Sequence, residues 1–152
     1  MFTKIYYFCK RLGRRDQGAA AVEMVLVIPV FLVLIAGVVD FGYVFYTKQI
    51  MTAASREGAR YGTKYHTNAS GGHILPNALS PSITNYITSN YSSLLPSAPT
   101  VTPSGSGYTS GVAGDDLKVE VSLTYNWLMV GTFIPGLGSS INLNTSTTMK
   151  VE

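Results

Sequence analysis

The strongest pattern in the chain is an apolar run from Ala19 to Val39 that contains one charged residue, Glu23. The run is 21 residues long, and a helix of that length, rising about 1.5 Å per residue, would span the roughly 30 Å hydrocarbon layer of a bilayer. A cleaved secretory signal is the competing interpretation. Such a signal has a shorter apolar core followed promptly by a small-residue cleavage site, and no such site follows Val39. The pattern therefore predicts a membrane-spanning helical segment over 19–40.

The helical pattern does not stop at the end of the apolar run. Apolar and small residues recur at three- and four-residue spacing as far as Gly62, and no proline or turn cluster interrupts them after Pro29. We therefore predict one continuous helix over about 19–62, whose second half, 41–62, is amphipathic and projects from the membrane. Pro29 removes one backbone hydrogen bond and is expected to kink or loosen the helix, although membrane helices also tolerate proline without such a role.

The residues after Gly62 predict a small head over 63–152. Residues 66–76 are polar and contain glycine, so we expect a loop there. Ser80 and Pro81 precede apolar residues at helical spacing, which predicts a short helix with proline in its first turn.

Two later segments of the head, 117–127 and 141–151, alternate apolar and polar residues, as half-buried strands do. We expect them to pair in an antiparallel sheet, with an edge strand near Thr100 in the loop-rich stretch 96–114. The amphipathic half of the helix would cover the apolar face of this sheet. The predicted fold class is α+β, with a long N-terminal membrane-spanning helix and a small head that contains a short helix and an antiparallel sheet.

The positive charge of the chain is concentrated before the apolar run. Residues 1–18 contain five basic residues and one acid, a net charge of +4, whereas six basic and seven acidic residues follow, a net charge of −1. Nucleic-acid binding is not indicated, because the basic character is lost if this leader is removed. The basic leader favours a cytoplasmic N terminus and an extracytoplasmic head, although further basic residues on the far side of the run weaken the asymmetry.

Nothing in the sequence indicates an enzyme. The G-x-S-x-G motif, the Walker loop and the dinucleotide fingerprint do not occur. His66 and His73 are the two histidines, and as a metal pair they lack a neighbouring cluster of carboxylates or thiolates. We therefore expect no catalytic residue, no metal, no cofactor and no small-molecule substrate. Cys9 is the single cysteine, so no intrachain disulfide can stabilise the head.

Glu23 is the residue whose presence most needs an explanation. A carboxylate within a membrane-spanning helix costs about 2.5–3.5 kcal/mol on insertion scales, and something must offset that cost. A cut after Gly18 would remove the basic leader and leave a protonated amine on Ala19. Glu23 could pair with this amine one helical turn away, or with the corresponding amine of a neighbouring subunit, which would give the charge a role in assembly.

These features together resemble a type IV prepilin or pseudopilin: a basic leader, a glycine before the cut, glutamate at the fifth position after it and a long apolar helix. Residues 18–42, GAAAVEMVLVIPVFLVLIAGVVDFG, and residues 53–61, AASREGARY, are more closely similar to the TadE-like family. That family comprises minor pseudopilins of the tight-adherence (Flp pilus) secretion machinery. The resemblance covers about residues 14–62 and rests on two separate motifs, and a small mixed head agrees with it.

The resemblance implies cleavage by a prepilin peptidase between Gly18 and Ala19, with Glu23 as the residue for recognition and assembly. It implies a single-pass protein of the bacterial inner membrane that acts in assembly or initiation of a Flp-type pilus, and hence in adhesion and biofilm formation. Its partners would be the membrane, the peptidase and other pilins or pseudopilins. Met24 departs from the Glu-Tyr pair typical of major Flp pilins, and together with the sizeable head this indicates a minor component.

The segment 53–61 has two possible roles. Small side chains at Ser55, Gly58, Ala59 and Gly62 share one helical face, which would allow the helix to pack closely on the head and leave a solvated charged edge. Alternatively, the segment contacts another subunit, with an arginine meeting an acid such as Asp40 of a neighbour. Within the helix, Glu57 can also pair with Arg60. The residues that could make either contact are Arg56, Glu57, Gly58 and Arg60.

A different class of function also fits the sequence: an unprocessed single-pass membrane protein whose extracytoplasmic head binds a ligand or partner. This hypothesis predicts an intact Met1 and a harmless Glu23→Ala substitution. The pseudopilin hypothesis predicts that the same substitution blocks assembly while insertion into the membrane is retained.

Overall fold

A computed structural model describes residues 3–129, 131 and 138–152, with side chains described from residue 18 onward. The longest element is helix α1, Thr3–Thr63, of 61 residues. It ends where the pattern predicted but begins well before Ala19, because the leader contains no proline and several lysine and arginine residues, which favour helix. The helix continues through Pro29, and a kink there stays a prediction. Among the described residues, α1 is the one helix long and apolar enough to cross a membrane.

The head follows α1 and consists of short helices and antiparallel strands. The strands are β1 (His66–Thr67), β2 (His73–Ile74), β3 (Thr100–Ser104), β4 (Asp116–Asn126) and β5 (Ser140–Lys150). The α-helices are α2 (Ile83–Tyr91) and α3 (Ser106–Ser110), and 3₁₀ turns occupy Pro76–Ala78 and Ser92–Leu94. The predicted α+β class, with a long N-terminal helix and a small head, is confirmed.

The main sheet has the strand order β3–β4–β5, and both pairs are antiparallel. The long pair β4–β5 runs from Asp116 opposite Lys150 to Asn126 opposite Ser140. Both predicted long strands and the predicted edge strand near Thr100 are therefore confirmed. The apolar residues that alternate along β4 are at most 5% exposed: Leu117, Val119, Val121, Leu123 and Tyr125.

The amphipathic half of α1 covers the apolar face of this sheet, as predicted. Met51, Ala54 and Ala59 of α1 are completely buried and share one hydrophobic core with β4, β5 and α2. Burial of apolar surface between the helix and the sheet is the main favourable contribution to holding them together.

Two hydroxyl pairs also join α1 to the edge strand β5. The Oγ1 atoms of Thr52 and Thr145 are 3.4 Å apart, and Oγ of Ser55 lies 2.8 Å from Oγ1 of Thr147. These pairs satisfy polar groups at an interface that is otherwise apolar.

The start of α2 differs slightly from the prediction. Ser82 is the N-cap, and its hydroxyl accepts a hydrogen bond from the backbone N–H of Asn85 at 3.2 Å. Pro81 therefore precedes the cap and does not lie in the first turn. A cap needs a side-chain oxygen that accepts a helix N–H, which serine has and proline lacks.

The segment 66–76, predicted to be a loop, contains the short antiparallel ladder of β1 and β2. The side chain of Asn68 forms the turn between them, since its Oδ1 atom accepts N–H bonds from Ser70 at 3.0 Å and Gly72 at 2.7 Å. These hydrogen bonds from one side chain stabilise the turn and explain why the ladder forms, although its strands are too short to show a hydrophobic pattern.

Candidate functional site

The predicted cleavage and assembly residues lie close together near the start of the apolar part of α1. Gly18, Ala19 and Glu23 are all exposed. A Cβ atom built on Gly18 would meet no atom within 4 Å, so nothing in the described chain packs over this position. Ala19 and Glu23 are separated by about one helical turn, roughly 6 Å along the helix axis, and lie on the same side of the helix.

Glu23 has no hydrogen-bond or ion-pair partner within the part of the chain that the structure describes. Its neighbours along α1 are exposed apolar side chains, including Met24 and Leu26. If this part of α1 lies in a membrane, the carboxylate costs about 2.5–3.5 kcal/mol on insertion scales, and a cation or hydrogen-bond donors would offset that cost.

Asp40, at the end of the apolar run, forms a second polar site. It is completely buried. Its Oδ1 atom accepts the backbone N–H of Leu128 at 3.2 Å, and its Oδ2 atom accepts that of Met129 at 3.0 Å. The carboxylate thereby holds the chain that leaves β4 against α1. Its burial leaves no surface for an arginine of a neighbouring subunit, so the contact considered from the sequence does not fit the structure.

Most of the small residues between 53 and 62 face the head: Ala54, Ser55, Gly58, Ala59 and Gly62 are buried, whereas Ala53 is exposed. A methyl group on Gly58 would overlap the side chain of Ile87 in α2. One on Gly62 would lie 2.6 Å from Cδ1 of Ile83 and 2.6 Å from Cδ2 of Leu117. The absence of side chains at these two glycines lets α1 and the head approach closely.

The charged residues of the same segment have separate environments. Arg56 and Arg60 are exposed. Glu57 accepts a hydrogen bond from the Tyr86 hydroxyl at 3.4 Å, so the expected Glu57–Arg60 pair does not form. Burial of the Tyr86 hydroxyl, and then the nearby Glu57 charge, raise the pKa of Tyr86. The ion pairs among the described residues are Lys118–Glu120 and Lys150–Asp116. A subunit contact through the two arginines stays a prediction.

The two histidines do not form a pair. The ladder register places His66 opposite Ile74 and His73 opposite Thr67, so the histidines project to opposite faces of the ladder. The His73 ring stacks on Tyr65 with centroids 4.4 Å apart. Across the described residues, no group of three or more histidine, cysteine or acidic side chains is arranged to hold a metal.

A shallow depression of about 420 Å³ lies beside the start of β3 and is also lined by β4 and β5. Its lining side chains are apolar, hydroxyl or amide groups, and none of them is an acid or base that could transfer a proton near neutral pH. The lining residues are Ser97, Ala98, Thr100, Ser122, Leu123, Thr124, Asn142 and Leu143.

The single apolar helix and the small head that packs on its second half fit the class of single-pass membrane proteins. Residues 18–60 match the family model described as TadE-like protein. The resemblance inferred from the two motifs is confirmed over this part of the chain, which includes Gly18 and Glu23, and the match suggests a protein related to the Tad pilus. Searches of the curated proteins and of the solved structures found no match.

Proposed function

We propose that this chain is a minor pseudopilin of the Tad (Flp pilus) machinery, that a prepilin peptidase cuts it between Gly18 and Ala19, and that Glu23 directs its assembly. One observation carries the proposal. Within the segment that matches the TadE-like model, a carboxylate without a partner in the described chain lies on the exposed apolar surface of α1, one turn from the bond to be cut.

Cleavage would supply the cation that Glu23 lacks. In the uncut chain the Ala19 nitrogen is a backbone amide of α1. After the cut it becomes an α-amine with a pKa of about 7.7–8.0, and therefore mostly protonated at neutral pH. Low dielectric surroundings strengthen the attraction between this amine and the carboxylate. If the amine belongs to a neighbouring subunit, the pair also sets the axial register of two helices, because any other register leaves Glu23 without a partner.

In this proposal α1 crosses the bacterial inner membrane, with the basic leader in the cytoplasm and the head outside. The head serves assembly and has no catalytic role and no cofactor. Arg56 and Arg60, exposed on the amphipathic half of α1, are available to an acidic surface of another pilin or pseudopilin. Initiating or assisting assembly of a Flp-type pilus would connect the protein to adhesion and biofilm formation.

The processing step is tested by determining the N terminus of the full chain extracted from membranes of its native host, by mass spectrometry. We expect Ala19 at the N terminus of the wild type and an uncut leader in Gly18→Leu. An intact Met1 in the wild type, or a cut at another bond, would contradict the proposal and favour an unprocessed membrane protein whose head binds a ligand or partner.

The assembly step is tested with Glu23→Ala and the neighbouring control Met24→Ala, which shortens an exposed side chain without removing a charge. Both variants should insert into the membrane. Glu23→Ala should be lost from the pilus fraction and from crosslinks to other subunits, whereas Met24→Ala should be retained. Normal assembly of Glu23→Ala would show that the carboxylate has no role in assembly.

A further inference from the structure

A second apolar surface lies beside the end of the membrane-spanning part of α1. At the end of the head nearest to Asp40, the chain leaves β4 and continues through Trp127, Leu128 and Met129. Leu128 is 58% exposed and Met129 is 51% exposed. Phe41 of α1 packs edge-on against Trp127, with ring centroids 5.8 Å apart, and is 51% exposed. These four residues are termed the apolar end patch.

The backbone of the patch has its N–H groups satisfied within the protein. The Trp127 N–H donates to the carbonyl of Ser139 at 3.2 Å. Those of Leu128 and Met129 donate to the buried carboxylate of Asp40. A turn that projects into water has no need of such partners, since water solvates its N–H groups, whereas backbone in lipid must be satisfied internally. Exposed apolar side chains on an internally bonded backbone suit an apolar environment.

The patch is continuous with the exposed apolar surface of the helix. Asp40 directly follows Val39 at the end of the apolar run, and Val38 and Val39 are both exposed. The carboxylate therefore fixes the patch at the level where the hydrocarbon layer would end. By sequence, no charged residue occurs between Glu120 and Lys150, so no charge in that stretch opposes contact with lipid. Tryptophan is typical of membrane interfaces, and the patch contains Trp127.

We propose that the apolar end patch is a second, shallow membrane attachment that enters the interface of the leaflet on the side of the head. The proposal rests on the membrane span of α1 put forward above. Lipid is the proposed partner because the patch adjoins the exposed apolar surface of α1, which would itself face lipid. The head is then held against the bilayer surface and does not stand clear of it.

The test uses the full chain with Cys9→Ser, so that one new cysteine carries a bimane label. Labels are placed on the patch with Leu128→Cys and Met129→Cys. Val112→Cys is the matched control, because Val112 is also apolar and 59% exposed but lies before β4, at the opposite end of the sheet. Val25→Cys, at a position 67% exposed, reports on the membrane span. Each protein is reconstituted into phosphatidylcholine vesicles, with and without lipid that carries a nitroxide near the top of its acyl chain.

We expect several-fold stronger quenching of bimane at positions 128 and 129 than at position 112. Quenching at position 25 with no excess at 128 and 129 over 112 would overturn the second attachment and leave the membrane span intact. Absence of quenching at position 25 would refute the span itself, and this proposal with it. The two failures are therefore distinguishable in one set of measurements.

Discussion

Gly58 of α1 packs directly against Ile87 of α2, and its replacement by alanine should strain the head. An added methyl group would overlap the Cδ1 and Cγ1 atoms of Ile87 and would contact Cγ1 of Val119 at 3.5 Å. Ile87 and Val119 are both almost or completely buried. The isoleucine cannot turn away without displacing other core side chains.

Two effects of the substitution oppose each other. Alanine stabilises a helix interior by about 0.5–1 kcal/mol relative to glycine, whereas an extra methyl group in a filled core costs about 1–3 kcal/mol. The second effect is larger here, because both clashing atoms belong to a fixed core residue. Gly58→Ala should therefore lower the free energy of unfolding by about 1 kcal/mol.

A second substitution should relieve part of the strain. Ile87→Val deletes Cδ1, the atom nearest to the added methyl group, and alone should cost about 0.5–1.5 kcal/mol. The Cγ1 position, 2.9 Å from the new Cβ, stays occupied. In the presence of Ile87→Val, Gly58→Ala should therefore cost less than in the wild type, with a coupling energy of about 0.5–1 kcal/mol. Gly42→Ala is the matched control, because it makes the same change on the same helix with no atom within 4 Å of the new Cβ.

The assay is urea unfolding of the head in the detergent-solubilised full chain, followed by the fluorescence of Trp127. This residue is the single tryptophan, and its ring lies 5.9 Å from that of buried Tyr125. Additive effects of Gly58→Ala and Ile87→Val, or a gain in stability from Gly58→Ala alone, would refute close packing as the reason for the glycine. Contact with another subunit would then be the better explanation.

Two further predictions concern polar contacts of the head. Asp40→Ala should leave the partly buried N–H groups of Leu128 and Met129 without their carboxylate acceptor, at up to about 1–3 kcal/mol each. Asp116→Ala, in an exposed ion pair, should cost less than about 1 kcal/mol. Equal urea midpoints for these two variants would contradict the role of Asp40. The hydrogen bond from Asn144, and then the contacts with Lys118, lower the pKa of Glu120, so their stabilising effect is present above its ordinary pKa and is lost as the pH falls through the lowered value. Asn144→Ala should raise the pKa of Glu120 in an NMR titration, and an unchanged pKa would show that the hydrogen bond is not its main cause.

The long elements of the fold were predictable because each repeats one local rule many times. The alternation along β4 is the same over the whole strand, and α1 keeps its spacing as far as Thr63. The short ladder of β1 and β2 was missed because it depends on the side chain of Asn68. The start of α2 was predicted too early because Pro81 was placed in the first turn, whereas Ser82 is the N-cap of the helix.

The sequence indicates residues of the candidate site only where the evidence for them is local. Glu23 is conspicuous as a charge within an apolar run, and Gly18 immediately precedes the bond proposed to be cut. The role of Asp40 was missed because its partners are 88 and 89 residues away in the chain. Those partners are backbone N–H groups, which every residue except proline possesses. The residue types in the sequence therefore do not indicate which N–H groups Asp40 binds.

The sheet is tied to α1 at both of its ends, which has a mechanical consequence. At one end the Glu152 N–H donates to the Thr63 carbonyl at 3.1 Å, and at the other Asp40 holds the chain after β4. The helix between residues 40 and 63 and the strand β4 each measure about 35 Å, so the two elements match in length. A force applied along α1 therefore loads the sheet in shear over its whole length and does not peel it from one end. Tension can pass along the helix while the head stays attached.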